Sequence, residues 1–226
     1  MSDQFGASTQ QNLLSGGDGA KSYGWNVLNS ANATAIDVNT DPGYLTITGT
    51  TSTTDYPFTN PFVYQEVTGD FDVDTLELVY IDTFTWGLLC RCPTASLGED
   101  YVSILCRAGD GGNYWADYTE NGLTSGYLSV ADRFYLRMAR VGNDFTVYYK
   151  QTAGSSWTSA HTFTRPDFAG KTLQLGMYHK RTSGTGVAKF DYFQGTYTPV
   201  AANYTLTVTK SGTGTGTITP DSGSLS

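Results

Sequence analysis

The sequence predicts an all-β chain, an antiparallel two-sheet jelly-roll sandwich with a short C-terminal β extension. Three observations carry this. Phe134-Tyr-Leu-Arg-Met-Ala-Arg140 and Phe145-Thr-Val-Tyr-Tyr149 place apolar residues at every second position and are joined by a Gly-Asn-Asp turn, the pattern of a half-buried hairpin. Similar runs recur from about Gly43 to Tyr197 with turn residues between them, the spacing of a sandwich or jelly roll. The 16 Tyr and 11 Phe favour pleated surfaces, the 26 Gly suit many turns, and long apolar helical patterns are absent.

Residues 1–42 are polar and rich in Gly, Asn and Ser, with apolar points at Phe5, Leu13, Leu14, Trp25 and Val27; they read as loops with one or two short strands. Gly43–Gly49 reads as a strand after an Asp-Pro-Gly turn, and residues 50–61 as a Thr-rich loop. Phe62–Val67 is a strand closed by Thr68-Gly-Asp70. Next, Phe71 and Val73 share one parity while Leu76 and Leu78 share the other, which predicts a β-bulge near Asp74 or Thr75. Strands follow at Trp86–Cys92, stopped by Pro93, at Tyr101–Arg107, and at Tyr114–Thr119 before a Glu-Asn-Gly turn. After the 134–150 hairpin, Trp157 opens a loop, and Leu173–His179 and Val187–Phe193 complete the domain, 1–197. Residues 198–226 are a linker and a strand-like extension, Tyr204-Thr-Leu-Thr-Val-Thr followed by Gly/Thr repeats. They are too short for a core and are expected to dock on the domain, self-associate, or belong to a longer protein.

Charge excludes some partners. A net charge of -8 and a pI of about 4.5 repel a phosphate backbone, so nucleic acid is not expected. No apolar run approaches the roughly 20 residues of a membrane span. Met1-Ser-Asp-Gln-Phe-Gly lacks the basic and apolar regions of a secretory signal, so export by another route, release within a virus particle included, is one expectation. Cys90, Cys92 and Cys106 read as small core hydrophobes, with a cross-strand bridge from Cys106 to Cys90 or Cys92 as the alternative. A zinc site lacks a fourth ligand, because His161 and His179 lie far along the chain.

The order of Thr-Gly-Asp-Phe (68–71), Trp-Gly-Leu-Leu-Cys-Arg (86–91), Asp-Tyr-Val-Ser-Ile (100–104), the 134–149 hairpin, Trp157, Leu-Gln-Leu-Gly-Met (173–177) and Phe-Asp-Tyr-Phe (190–193) resembles the concanavalin A-like lectin/glucanase superfamily. The likeness is greatest to its laminin-G-like and DUF1349-type domains and spans roughly residues 40–197. The tail resembles the opening of bacterial surface repeats. The resemblance implies two curved antiparallel sheets that bind sugars, glycans or proteins, with hydrolysis of β-glucans in some members.

In the glucanase branch, paired carboxylates lie on one strand as Glu-x-Asp-x-x-Glu, and a retaining glycosidase needs such a pair about 5–5.5 Å apart. None of Glu66, Glu77, Glu99 and Glu120 sits in that motif, so the chain is not expected to be an enzyme. Asp70, Asp72 and Asp74 share one strand face by parity and read as a solvated outer face, with a cation cluster as the alternative. No cofactor is required. The resemblance also implies a structural Ca²⁺ in some sandwiches, for which Asp191 matches the last-strand ligand and Asp3 or Asp41 the early acidic partner. The competing reading puts Asp191 in a turn or salt bridge.

Parity sends Leu88, Cys90, Phe134, Leu136, Met138, Phe145, Val147, Leu173, Leu175 and Met177 inward. Arg91, Tyr135, Arg137, Tyr148, Gln174 and Tyr178 then point outward as one candidate ligand face, with Trp86, Trp115 and Trp157 at its rim. Rings stack on sugar faces and guanidinium groups bond hydroxyls or carboxylates. The same aromatics would equally suit cover by a loop or subunit. The expected function is a non-catalytic carbohydrate-binding or adhesion module at a cell or virion surface, binding a glycan or surface polysaccharide. The alternative is a structural virion or cell-surface subunit, such as a capsid decoration or fibre protein, acting through contacts with capsid or other surface proteins.

Overall fold

The computed structural model describes residues 2–3, 5, 12–13, 21–22, 24–50, 59–78, 84–93, 100–108, 114–120, 123–130, 133–181 and 184–200; of 2–3, 21–22, 77–78, 84, 107–108, 114–120, 123–130, 133–134 and 181 it describes the backbone course only. The strands are β1 (Ser2–Asp3), β2 (Lys21–Ser22), β3 (Trp25–Leu28), β4 (Ala33–Asp37), β5 (Leu45–Gly49), β6 (Phe62–Leu78), β7 (Phe84–Arg91) and β8 (Tyr101–Ala108). They continue with β9 (Tyr114–Glu120), β10 (Leu123–Val130), β11 (Arg133–Val141), β12 (Asp144–Lys150), β13 (Thr158–Thr164), β14 (Leu173–Arg181) and β15 (Gly186–Pro199). No helix among the described residues is long and apolar enough to cross a membrane.

All pairings are antiparallel and run β10-β9-β8-β7-β14-β6-β11-β12-β13. The long β6 belongs to both layers. Its first part, Phe62 to Val67, pairs with β14 and β3, and its second part, Phe71 to Leu78, pairs with β11 and β15. The turn expected at Thr68-Gly-Asp70 is therefore a bend inside one strand. Gly69 there has φ 72°, a left-handed conformation that glycine adopts without penalty. Buried Arg140 donates to the Gly69, Gly142 and Phe168 carbonyls and sets its guanidinium over the Phe145 ring, which fastens the bend to β11.

The bend lays one sheet over the other, so β11 faces β7 and β8, and β12 faces β8. Between them lies the core, with Leu88, Cys90, Val102, Ile104 and Met177 from one sheet and Phe71, Val73, Leu136, Met138 and Phe145 from the other. Burying each large apolar side chain contributes about 1.5–3 kcal/mol, so this interlayer set dominates the stability. Cys90, Cys92 and Cys106 are free and buried, as the core reading expects. Burial pushes the Cys90 thiol far above its ordinary range. Buried Arg165 ties the turn before β14 to the start of β8, bonding Asp100, Asp167 and the Tyr101 carbonyl and stacking 4.1 Å from Phe168.

Several local expectations change. Pairing of β6 with β11 is unbroken through Asp74 and Thr75, so the bulge is not there. It lies opposite, in β15 between Phe190 and Tyr192. Leu76 is simply an outward residue, buried between Tyr135 and Tyr192 in register. Residues after Trp157 form the edge strand β13, whose only buried side chain is Phe163; an edge strand needs one inward anchor and otherwise stays polar. The extension from residue 201 lies outside the described residues, as does the repeat-like tail.

Candidate functional site

The outward residues of the two sheets lie on opposite sides of the core, so the six side chains expected to form one face are divided between two. On the first sheet are Arg91, Gln174 and Tyr178. Arg91 donates from Nη1 to Gln174 Oε1 at 2.9 Å, and Gln174 is buried. Tyr178 is only 1% exposed and belongs to a second apolar cluster with Phe62, Tyr64, Leu89, Tyr101 and Leu105. These residues were expected on a wet surface, and the correction has a visible cause. Phe62-Val-Tyr, Leu88-Leu-Cys and Tyr101-Val-Ser-Ile-Leu are near-continuous apolar runs, the mark of a strand buried on both faces. Partial desolvation also lowers the affinity of the Arg91 guanidinium for its proton. Trp86 is corrected too: it shares parity with Leu88 and Cys90 and lies in the core, 1% exposed, not at a rim. The Trp115 side chain lies outside the described residues.

On the second sheet the remaining three come together. Alternation sends Leu136, Met138, Phe145 and Val147 inward, so Tyr135, Arg137, Tyr148 and Lys150 face outward. Register then builds two rows across four strands. One reads Lys150, Tyr135, Leu76, Tyr192, and the other Tyr148, Arg137, Asp74, Gln194. At the strand spacing of a sheet each row spans about 14 Å. Trp157, just before β13, joins them: its ring centroid is 5.9 Å from the Arg137 guanidinium and 4.5 Å from Lys150 Nζ. Arg137 also lies 4.8 Å from the Tyr148 ring, and Lys150 5.0 Å from the Tyr135 ring.

The acidic residues of this face are engaged. Asp72 takes Arg137 Nε at 2.6 Å and Nη2 at 2.5 Å, a pairing that raises the Arg137 pKa still further above neutrality. Asp74 accepts from the Tyr192 hydroxyl at 3.0 Å and from Gln194 at 3.1 Å. Burial and then the Asp74 charge push the Tyr192 hydroxyl well above its ordinary range, so it stays a donor. Asp70 accepts from the Gly142 amide at 2.8 Å. Free polar tips remain: among the described residues the Tyr135 and Tyr148 hydroxyls, Trp157 Nε1 and Arg137 Nη1 have no hydrogen-bond partner. The face thus offers aromatic rings with unspent donors at their edges.

The calcium expectation gains no such convergence. Asp41 is bound by the Lys189 ammonium, an occupant that competes with a cation. Asp191 sits at the β15 bulge, and the Asp3 side chain lies outside the described residues. No three His, Cys, Asp or Glu side chains converge among the described residues.

Lys150, Tyr192 and Gln194 were not anticipated for the face. Lys150 could have been found, because it shares parity with Tyr148. Tyr192 and Gln194 could not be placed by simple alternation, because the bulge at Asp191 shifts the phase between Phe190 and Phe193, both of which point inward.

No protein-family model matches the sequence, and no curated protein matches it. Solved structures do match the fold. A xylan β-1,4-xylosidase from Bacillus halodurans aligns at 18% identity and TM-score 0.64 over 86% of this chain and 38% of that one. LamA of Z. galactanivorans, solved with laminaritriose and laminaritetraose, aligns at 10% identity and TM-score 0.53 over 87% and 97%. A functionally unknown protein from Saccharomyces cerevisiae aligns at 13% and 0.59 over 79% and 98%. This chain spans well under half the length of the xylosidase. The expectation that the chain is not an enzyme is overturned here: a xylosidase contains this fold, so lacking the Glu-x-Asp-x-x-Glu of one branch does not set hydrolysis aside. What the geometry and these likenesses establish together is the fold, an antiparallel β-sandwich jelly roll also seen in part of the xylosidase and in LamA.

Proposed function

We propose that the chain binds a glycan on the outer face of its second sheet, across Tyr135, Arg137, Tyr148, Lys150 and Trp157. The observation that carries this reading is the grouping of three aromatic rings whose polar tips, with Arg137 Nη1, lack partners among the described residues. Sugar rings stack their apolar faces on such side chains, and their hydroxyls take the remaining donors. LamA, of similar fold, is in complex with laminaritriose and laminaritetraose, which supports a glycan as ligand class. A polysaccharide ligand supports the reading that the chain works at a cell or particle surface or in its surroundings.

The test is titration of purified protein with a panel of soluble polysaccharides, alongside Trp157→Ala and Tyr148→Ala, with released reducing ends measured in the same samples. Saturable binding that both variants weaken at least tenfold supports the reading. Binding that neither variant alters, or no binding across the panel, overturns it. Reducing-end release adds hydrolysis to binding at this face if Asp72→Asn and Asp74→Asn abolish it.

A further inference from the structure

We infer that the glycan is anionic, and that its carboxylate or sulfate sits between Arg137 Nη1 and Lys150 Nζ beside the indole of Trp157. The inference rests on the glycan-binding reading and names the ligand class it leaves open.

The argument begins with charge. The chain has 21 acidic residues against 13 Lys and Arg. Arg137, Arg165 and Lys189 each meet a carboxylate. Lys150 meets none among the described residues. Its Nζ donates to the Ala153 carbonyl at 3.2 Å and otherwise lies over two rings, Trp157 at 4.5 Å and Tyr135 at 5.0 Å. Ring contacts hold an ammonium in place without neutralising it, and two of its three N–H groups stay available.

Arg137 complements it. Asp72 takes Nε and Nη2, which fixes the plane of the guanidinium and leaves Nη1 without a hydrogen-bond partner among the described residues. Both cations border one indole, and Lys150 lacks, among the described residues, the carboxylate that Arg137 has in Asp72, so an anion beside the indole supplies the missing countercharge to Lys150 while it also bonds Arg137 Nη1. A neutral sugar uses the same donors but brings no countercharge to Lys150. Arg137 supplies planar recognition and Lys150 a point charge, a division suited to an oxyanion carried on a ring that stacks on Trp157.

The experiment compares polysaccharides that differ only in charge: polygalacturonate with its fully methyl-esterified form, and dextran sulfate with dextran, plus alginate, xylan and laminarin. Affinities are measured at several salt concentrations for the wild type, Lys150→Gln and Lys150→Arg, with folding checked by circular dichroism. The expected result is that the glycans bound are anionic, that masking the charge weakens binding at least tenfold, and that added salt weakens it further. Lys150→Gln loses about tenfold and most of the salt dependence, while Lys150→Arg stays within about threefold. Preference for polygalacturonate or alginate identifies a carboxylate, and preference for dextran sulfate a sulfate. Equal or tighter binding of a neutral glycan, or unchanged affinity in Lys150→Gln, overturns this inference and leaves the binding face standing. Absence of binding across the panel overturns both.

Discussion

Arg137 and Asp72 meet diagonally across β11 and β6 through two hydrogen bonds, although the residue directly opposite Arg137 is Asp74. The diagonal choice follows from occupancy, because Asp74 already receives Tyr192 and Gln194. Arg137→Lys keeps the charge and loses the fork. With the two side chains 27% and 43% exposed, the pair contributes about 1 kcal/mol or less, so the urea midpoint should fall only slightly. Glycan affinity should fall about tenfold, since a lysine cannot hold one donor to Asp72 and present another in a set plane. Equal affinity for the two proteins in titration removes Arg137 from the site.

Trp157 precedes an edge strand and contacts two cations without filling the core. Its replacement by Ala should therefore cost about 1–2 kcal/mol in denaturant titration, the worth of two exposed cation–π contacts, while binding is strongly weakened. A stability loss of several kcal/mol would reassign it to packing.

Two glycines separate clash from conformational strain. A Cβ at Gly176 would lie 2.0 Å from the Val63 carbonyl oxygen and 2.7 Å from Tyr64 Cα, and backbone cannot yield that distance locally. At Gly69 nothing lies within 4 Å, and only φ +72° opposes a side chain. Gly176→Ala should destabilise by about 3 kcal/mol or more, and Gly69→Ala by about 1–2 kcal/mol. Chemical denaturation of both variants orders them, and the reverse order contradicts the placement of β14 against β6.

The cysteines give a probe of the core. A coloured thiol reagent at mildly alkaline pH should find no reactive sulfur in the native protein, because all three thiols are buried and Cys90 resists ionisation. Full reaction of the three should appear on denaturation without reductant. Fewer than three would reveal a bridge.

Acid should loosen the Arg165 clasp. The Arg165 hydrogen bonds hold Asp167 below its ordinary pKa of 3.8. A depressed carboxylate contributes stability that is fully present above its unfolded value and is lost as pH falls through the folded one. The stability advantage of wild type over Asp167→Asn should stay level from neutrality down to about pH 5 and shrink below 3.8. Urea midpoints across that range measure it, and an advantage that grows with acid has the wrong sign.

By itself the sequence determined the class of fold and the sidedness of the second sheet. Strict alternation in 134–150 can be satisfied only by one apolar and one polar face, so Tyr135, Arg137 and Tyr148 were legible as neighbours, and Trp157 as a nearby ring. Tertiary structure alone decided the rest. Whether an outward residue is open to a ligand depends on what lies against its sheet, and alternation is silent on that; Tyr178 points outward and is still interred with Phe62 and Leu89. Which strands join which layer was set by the bend at Gly69, where one strand crosses between sheets and divides Arg91 from Arg137. The partners across β15 were hidden as well, because one extra residue at Asp191 turns Tyr192 and Gln194 onto the face. Local periodicity records a side chain's direction within its own strand; only packing between layers determines what that direction meets.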